Sequence, residues 1–399
     1  MLRSLIWLAL GTFAIGTEGF MIAGILPMIA GDLQVSVAAA GHLVTCFALV
    51  YAVAAPLLAV ATANWPRKTL LAAAITAFGL ANIVAGLAPD YLWLMVSRVL
   101  LALSAAAFVP SASGTAATMV APEKRGRAIS IIYTGMTVSI IVGVPIGTLV
   151  AEHFGWRATF LGVAGLAAIA LVGILAALPR VGAPASVSLA ARIEMVRRPD
   201  LLIVLALTFL TLGGIFAINT YFGALMTEIF GATPEMVAGA LFLAGIGGAA
   251  GNLIGGYAAD RWNGRRFLTA VLATLTINFA ALSLVSVFAP NRHGLVVAYV
   301  IAAVWGLAGW SFPAVQQVRL VRLAPSLAAV SLSLNSSALY FGTAAGAAIG
   351  ALAIDFVSIT AIGWTAALFE LAALVLMLAT MKAPARQAEP SPCPAAERA

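Results

Sequence analysis

The sequence predicts an all-α polytopic membrane protein, with twelve transmembrane helices in two pseudo-symmetric six-helix bundles. Three observations carry this reading. Hydrophobic residues make up 63% of the chain and charged residues 9%, whereas soluble domains run at about 45–50% apolar and about 25% charged. The mean hydropathy is +1.07. The apolar residues fall in runs close to the ~20 residues a spanning helix needs, without the period-two alternation of barrel strands. The second half of the chain also repeats landmarks of the first.

The runs place spans at 5–30, 41–62, 68–89, 91–117, 128–151, 157–179, 201–226, 236–259, 266–289, 295–318, 326–352 and 358–381. The first follows Arg3 as a signal peptide would, but it is too long and no small-residue cleavage site follows it, so it is read as span 1. Glu18 is the only charge on it between Arg3 and Asp32. Span 2 opens at Gly41 and is followed by Pro66, Arg67 and Lys68. Span 8 opens at Gly239 and is followed, at the same offset of 198 residues, by Gly264, Arg265 and Arg266. Span 4 carries a buried cation, Arg98. Span 5 contains GMTVSIIVGVPIGTLV, and span 6 opens on FGWRATF, echoed by IGWTAAL at the start of span 12. Span 12 holds a second buried acid, Glu370, which has no counterpart in the repeat and is read as structural or incidental.

Duplicated six-helix halves are a transporter signature, with substrate bound near the midplane between them. The predicted organisation is a bundle over 1–180, a cytoplasmic linker over 181–200, a bundle over 201–382, and a disordered tail over 383–399. The linker's AARIEMVRR is read as a short surface helix. Of the 21 basic residues, all but Arg98, Arg157 and Arg292 fall on one side if the N-terminus is cytoplasmic. The positive-inside rule then puts both termini in the cytoplasm. The same rule accounts for the net charge of +7. A nucleic-acid partner would need a basic face on a folded domain, and these charges are scattered over short loops. Cys46 lies in a span and Cys393 in the tail, so no disulfide framework follows. His153 and His293 lack companion ligands, so no metal site is expected. No P-loop is present, so the chain has no ATPase motor of its own.

Four stretches resemble the major facilitator superfamily and, within it, the twelve-helix drug:proton antiporters, over roughly residues 1–382. GGYAADRWNGRR (255–266) is similar to the family's G-x-x-x-D-R-x-G-R-R loop with one extra residue; its N-terminal copy, VATANWPRK, lacks the acid. The resemblance implies a gating loop built from Arg67, Lys68, Asp260, Arg261, Arg265 and Arg266; plain positive-inside anchoring is the alternative for its basic residues. Gly135, Gly143, Pro145 and Gly147 match the antiporter signature G-x7-G-x-P-x-G, which implies efflux rather than uptake. LMVSRVLLALSAAAFVP resembles the family's R-x-x-x-G motif, with Leu101 and Ala102 where Gln and Gly are usual. GTEGFMIAGILPMIAGDLQ resembles the subgroup of chloramphenicol-resistance, arabinose-efflux and purine-ribonucleoside-efflux proteins.

A charge at mid-bilayer costs at least ~2.5–3.5 kcal/mol, so such residues face a cavity or a partner and mark ion pathways. Glu18 lies thirteen residues into span 1, ~20 Å along it. Arg98 lies seven residues into span 4, which runs the other way, ~10 Å from the opposite end. In a core of ~30 Å the two share a depth. Glu18 is therefore expected to be the proton-coupling acid, with Arg98 tuning it and substrate competing for the same polar spot; a static Glu–Arg pair, or a Glu18 hydrogen-bonded to Thr17 or the backbone, is the alternative. Substrate contacts are expected from Phe20, Met21, Asn219, Tyr221, Trp310 and Gln316, on spans that line the family's cavity. The expected activity is proton-coupled export of small amphipathic compounds, such as a phenicol antibiotic, by alternating access in a bacterial inner membrane. The alternatives are a sugar or nucleoside exporter of the same fold, or an uncoupled facilitator. No reaction is catalysed and no cofactor is implied beyond the proton gradient. The expected partners are the substrate, protons and the bilayer, with the protein a monomer.

Overall fold

The computed structural model describes residues 2–121, 125–179, 198–323 and 328–381. Among them all regular structure is helical, and 12 helices are long and apolar enough to cross a membrane. Span 1 is Leu2–Asp32, span 2 Val37–Ala61, span 3 Arg67–Gly86 and span 4 Tyr91–Thr118. Span 6 is Trp156–Ala177, span 7 Pro199–Phe230, span 8 Pro234–Arg261 and span 9 Gly264–Phe288. Spans 10, 11 and 12 are Arg292–Leu323, Ala328–Phe356 and Ile362–Met381. Lys124, Arg180, the linker up to Arg197, and the chain from Lys382 onward lie outside the described residues, as do the side chains of Arg125, Arg127 and Asp260.

Local chemistry sets the helix ends. Ser36 accepts from the Ala39 amide at the start of span 2, Asp90 accepts from Trp93 at the start of span 4, and Asn263 accepts from Arg265 and Arg266 at the start of span 9. Each satisfies amides that the first helical turn leaves without partners. Gly155 and Gly231, with φ of 82° and 62°, reverse the chain after spans 5 and 7 in a conformation open to glycine.

Span 5 is not one continuous α-helix. It runs as an α-helix over Arg125–Val138, widens to a π-turn over Ser139–Gly143, and resumes over Val144–Phe154. Pro145 has no N–H to offer the Ile141 carbonyl, and its ring crowds the preceding turn. Widening that turn accommodates both effects.

The packing repeats between halves. Span 1 packs on spans 5 and 6, span 2 on span 4, and span 3 on spans 4 and 6; six spans later, span 7 packs on 11 and 12, span 8 on 10, and span 9 on 10 and 12. The halves meet through spans 2 and 11, 5 and 8, and 1 and 7. Large apolar side chains such as Leu57, Leu92, Leu253, Ile277 and Leu368 are exposed on the outside of the bundle. That is the surface a helical membrane protein offers to lipid.

Candidate functional site

The antiporter-like glycines face span 1. A Cβ on Gly135 would strike the Ala9 carbonyl, one on Gly143 would strike Thr17, and one on Gly147 would come within 3.1 Å of Met21. Spans 1 and 5 run parallel, and the small residues let their backbones approach closely. The π-turn beside this seam also touches the other half: Gly245 of span 8 lies so near Ile140 and Ile141 that an added Cβ would be 2.9 Å from the Ile141 Cα.

A cavity of about 40 Å³ lies between the halves at this level. It is lined by Phe20 of span 1, Ile140 and Val144 of span 5, Ile215, Phe216 and Asn219 of span 7, Leu241 and Ala244 of span 8, and Trp305, Gly306 and Trp310 of span 10. The Phe20 ring stacks on Phe216 at 6.0 Å and meets Trp310 edge-on at 5.9 Å. A second recess, of about 10 Å³, adjoins it and adds Thr137 and Asn252 to the polar rim. A water needs about 10–15 Å³, and drug-sized ligands occupy pockets of about 300–1,000 Å³. The halves are therefore contracted around this site.

Glu18 lies beside the cavity but does not face it. Successive residues turn by about 100° around a helix, so Glu18 and Phe20 point to nearly opposite sides of span 1. The Glu18 carboxylate is fully buried and accepts from Arg98 Nη1. Arg98 Nε donates to the Leu43 carbonyl at 3.2 Å, and its guanidinium lies 4.7 Å from the centroid of the Phe47 ring. Spans 1, 2 and 4 thus meet around one ion pair inside the N-terminal half. The second Glu18 oxygen and the neighbouring Thr17 hydroxyl have no hydrogen-bond partner.

Phe20, Asn219 and Trp310 come together at the cavity. Met21, Tyr221 and Gln316 do not. Met21 packs into the notch at Gly147. The Tyr221 hydroxyl donates to the Ala347 carbonyl at 2.7 Å, and its ring fills the space left by Gly41 and Gly350. Gln316 Nε2 donates to the Val204 carbonyl at 2.8 Å and to Thr208 at 3.2 Å, while its oxygen accepts from Arg319 at 3.1 Å. Packing and internal hydrogen bonds use all three. Trp305, Leu241 and Ala244, which the sequence reading did not single out, take their place.

The basic residues of the two loops make local contacts. Lys68 Nζ donates to the Leu175 carbonyl at 2.7 Å, in the last turn of span 6. Arg261 lies over Tyr257 of its own helix at 5.2 Å, and the side chains of Arg265 and Arg266 are exposed. Among the described residues the ion pairs are Glu18–Arg98, Asp32–Arg157 and Asp200–Arg198, so none of the described loop charges bridges the halves.

Comparison with known proteins gives a consistent pattern. A family model described as Major Facilitator Superfamily matches residues 8–336 and 204–397. The chain is 33% identical over 381 residues to the uncharacterized MFS-type transporter YbcL of Bacillus subtilis (strain 168), covering 96% of each. It is 35% identical over 351 residues to the inner membrane transport protein YdhP of Escherichia coli (strain K12), covering 88% of each. A chloramphenicol resistance protein of Streptomyces lividans is 38% identical over 258 residues, covering 64% of this chain and 66% of that one. Among solved structures, the nucleoside transporter NupG superposes with a TM-score of 0.78 at 13% identity, over 95% of this chain and 100% of that one. A bacterial homologue of the human lysosomal transporter Spinster, inward-facing and occupied, gives a TM-score of 0.72 at 16% identity, over 94% of this chain and 96% of that one.

Proposed function

Because this chain belongs to the major facilitator superfamily, we propose that it exports small, neutral amphipathic compounds in exchange for protons, by rocking its two halves around the aromatic cavity. The membrane is a bacterial inner membrane, both termini are cytoplasmic, and no reaction is catalysed. The observation that carries the reading is the position of span 1. One side of this helix presents Phe20 to the cavity and the other buries Glu18 against Arg98. The cavity is lined by aromatic rings with Asn219, Thr137 and Asn252 as its side-chain amide and hydroxyl groups, and no charged residue is among them. Such a lining suits a neutral, partly aromatic compound, and a phenicol is the leading candidate in view of the Streptomyces lividans relative.

Coupling then runs through span 1 instead of through competition at one polar spot. Burial disfavours a charged carboxylate and a nearby guanidinium favours it. A proton on Glu18 would leave Arg98 without its counter-charge and loosen the junction of spans 1, 2 and 4. Span 1 would shift, and Phe20 would move with it.

The test uses everted membrane vesicles holding an imposed pH gradient. Phenicols, pentoses, nucleosides and lipophilic cations are added in turn, and proton efflux is recorded for wild type and Glu18→Gln. A phenicol that collapses the gradient in wild type alone supports the reading. Downhill movement of a compound with no proton response in any variant identifies an uncoupled facilitator and overturns it.

A further inference from the structure

Span 12 carries one titratable residue, Glu370, near its middle. The side chain is fully buried, and neither carboxyl oxygen has a hydrogen-bond partner. The contact that buries it is specific. Gly213 and Gly214 of span 7 form a notch that receives Phe369 and Glu370. A Cβ on Gly213 would come within 2.7 Å of the Phe369 ring, and one on Gly214 within 2.6 Å of Glu370 Oε1 and 3.0 Å of the Ala366 carbonyl. Any side chain at 214 would displace the carboxyl group.

Among the described residues no charge compensates it. The elements packed on span 12 are spans 7, 9 and 11. Their titratable groups among the described residues are Asp200, Tyr221 and Glu228 on span 7, Arg265 and Arg266 on span 9, and Tyr340 and Asp355 on span 11. Asp200 and Glu228 are each 14 residues from Gly214, ~21 Å along the helix. None of the ion pairs involves Glu370. An ionised carboxylate here would have neither a donor nor a cation among the described residues to offset the hydration it loses. The neutral acid is the form this contact accommodates.

The location matters for transport. Ile215, Phe216 and Asn219, which line the cavity, lie one to five residues after Gly214 on span 7. The helix that seals the Glu370 carboxyl is therefore the helix that the cavity contents press on. Glu18 has its Arg98 partner in the N-terminal half, whereas Glu370 has no partner among the described residues.

We propose that Glu370 is a second proton-binding site, which holds its proton in this contracted conformation and releases it when span 7 moves off span 12. On release the carboxyl O–H bond breaks, the proton passes to an entering water, and a carboxylate remains. Only the link to span 7 movement rests on the alternating-access reading; the protonated state does not.

Infrared spectra of the full chain in liposomes, recorded from mildly acidic to alkaline pH with no substrate added, test the site. A protonated-carboxyl C=O stretch is expected at neutral pH, lost in Glu370→Gln and retained in Glu18→Gln. It should vanish in one step as pH rises, while tryptophan fluorescence reports an intact fold. Glu370→Met serves as a second variant if the amide is not tolerated, since the site offers no donor that an apolar side chain would orphan. Removal of no band by either variant overturns the proposal. So does a band that persists until the fold itself is lost. Neither result depends on which compound is exported, so the vesicle assay judges the export reading separately.

Discussion

Glu18 and Phe20 are two residues apart on one helix and serve different halves of the molecule. The carboxylate closes an ion pair with Arg98 inside the N-terminal half, and the ring stacks on Phe216 of the C-terminal half at 6.0 Å. A displacement of span 1 therefore changes both environments together, and the proposed coupling rests on that link.

Breaking the ion pair from one side should cost more than removing it. Glu18→Gln leaves Arg98 buried without a counter-charge, and loss of one partner of a buried pair destabilises by about 3–5 kcal/mol. The double variant Glu18→Gln/Arg98→Met should recover most of that loss. Thermal unfolding of the four purified proteins forms a double-mutant cycle. Equal losses that simply add would show that the two side chains do not depend on each other.

Phe20→Ala and Trp310→Ala act on the cavity and leave the ion pair untouched. Both should raise KM for the transported compound about two- to tenfold, since aromatic contacts contribute about 0.5–1.5 kcal/mol beyond area burial and 1.4 kcal/mol is a factor of about ten. The pH dependence of transport should stay that of wild type. A shifted pH profile in either variant would place the proton site nearer the cavity than the geometry does.

Gly135 packs beneath the Ala9 carbonyl, so Gly135→Val should push span 5 away from span 1. Overpacking of this kind costs about 1–3 kcal/mol. Transport should fall sharply while the protein still inserts, as read by vesicle assay and membrane-fraction immunoblot. Gly162, which has nothing within 4 Å of an added Cβ, should tolerate the same change and serves as the control.

Tyr221 fills the gap bounded by Gly41 of span 2 and Gly350 of span 11. Tyr221→Phe keeps the ring and removes the hydrogen bond to the Ala347 carbonyl, at a cost of about 1 kcal/mol. Gly41→Leu should instead wedge the ring out and part the halves on the face that carries Asp32. With Cys46 and Cys393 replaced, thiol labelling of a single cysteine placed beside Tyr221 on span 7 should accelerate in Gly41→Leu and remain slow in Tyr221→Phe.

The sequence by itself determined the class of protein, the number and approximate ends of the spans, the duplication, and the shared depth of Glu18 and Arg98. Each of these follows from distance along the chain: hydropathy marks the bilayer, and a rise of about 1.5 Å per residue converts position into depth. It also marked the span 1–span 5 seam, because glycines at fixed intervals signal close approach. Rotation about each helix axis had no such marker. A helix that is apolar on every side does not reveal which side meets a partner. Only the tertiary structure therefore turned Glu18 away from the cavity, assigned Met21, Tyr221 and Gln316 to packing and internal hydrogen bonds, and brought Trp305 to the site. The same limit applied to Glu370. Its depth was legible, but the notch at Gly213 and Gly214 that encloses it exists only once spans 7 and 12 are packed.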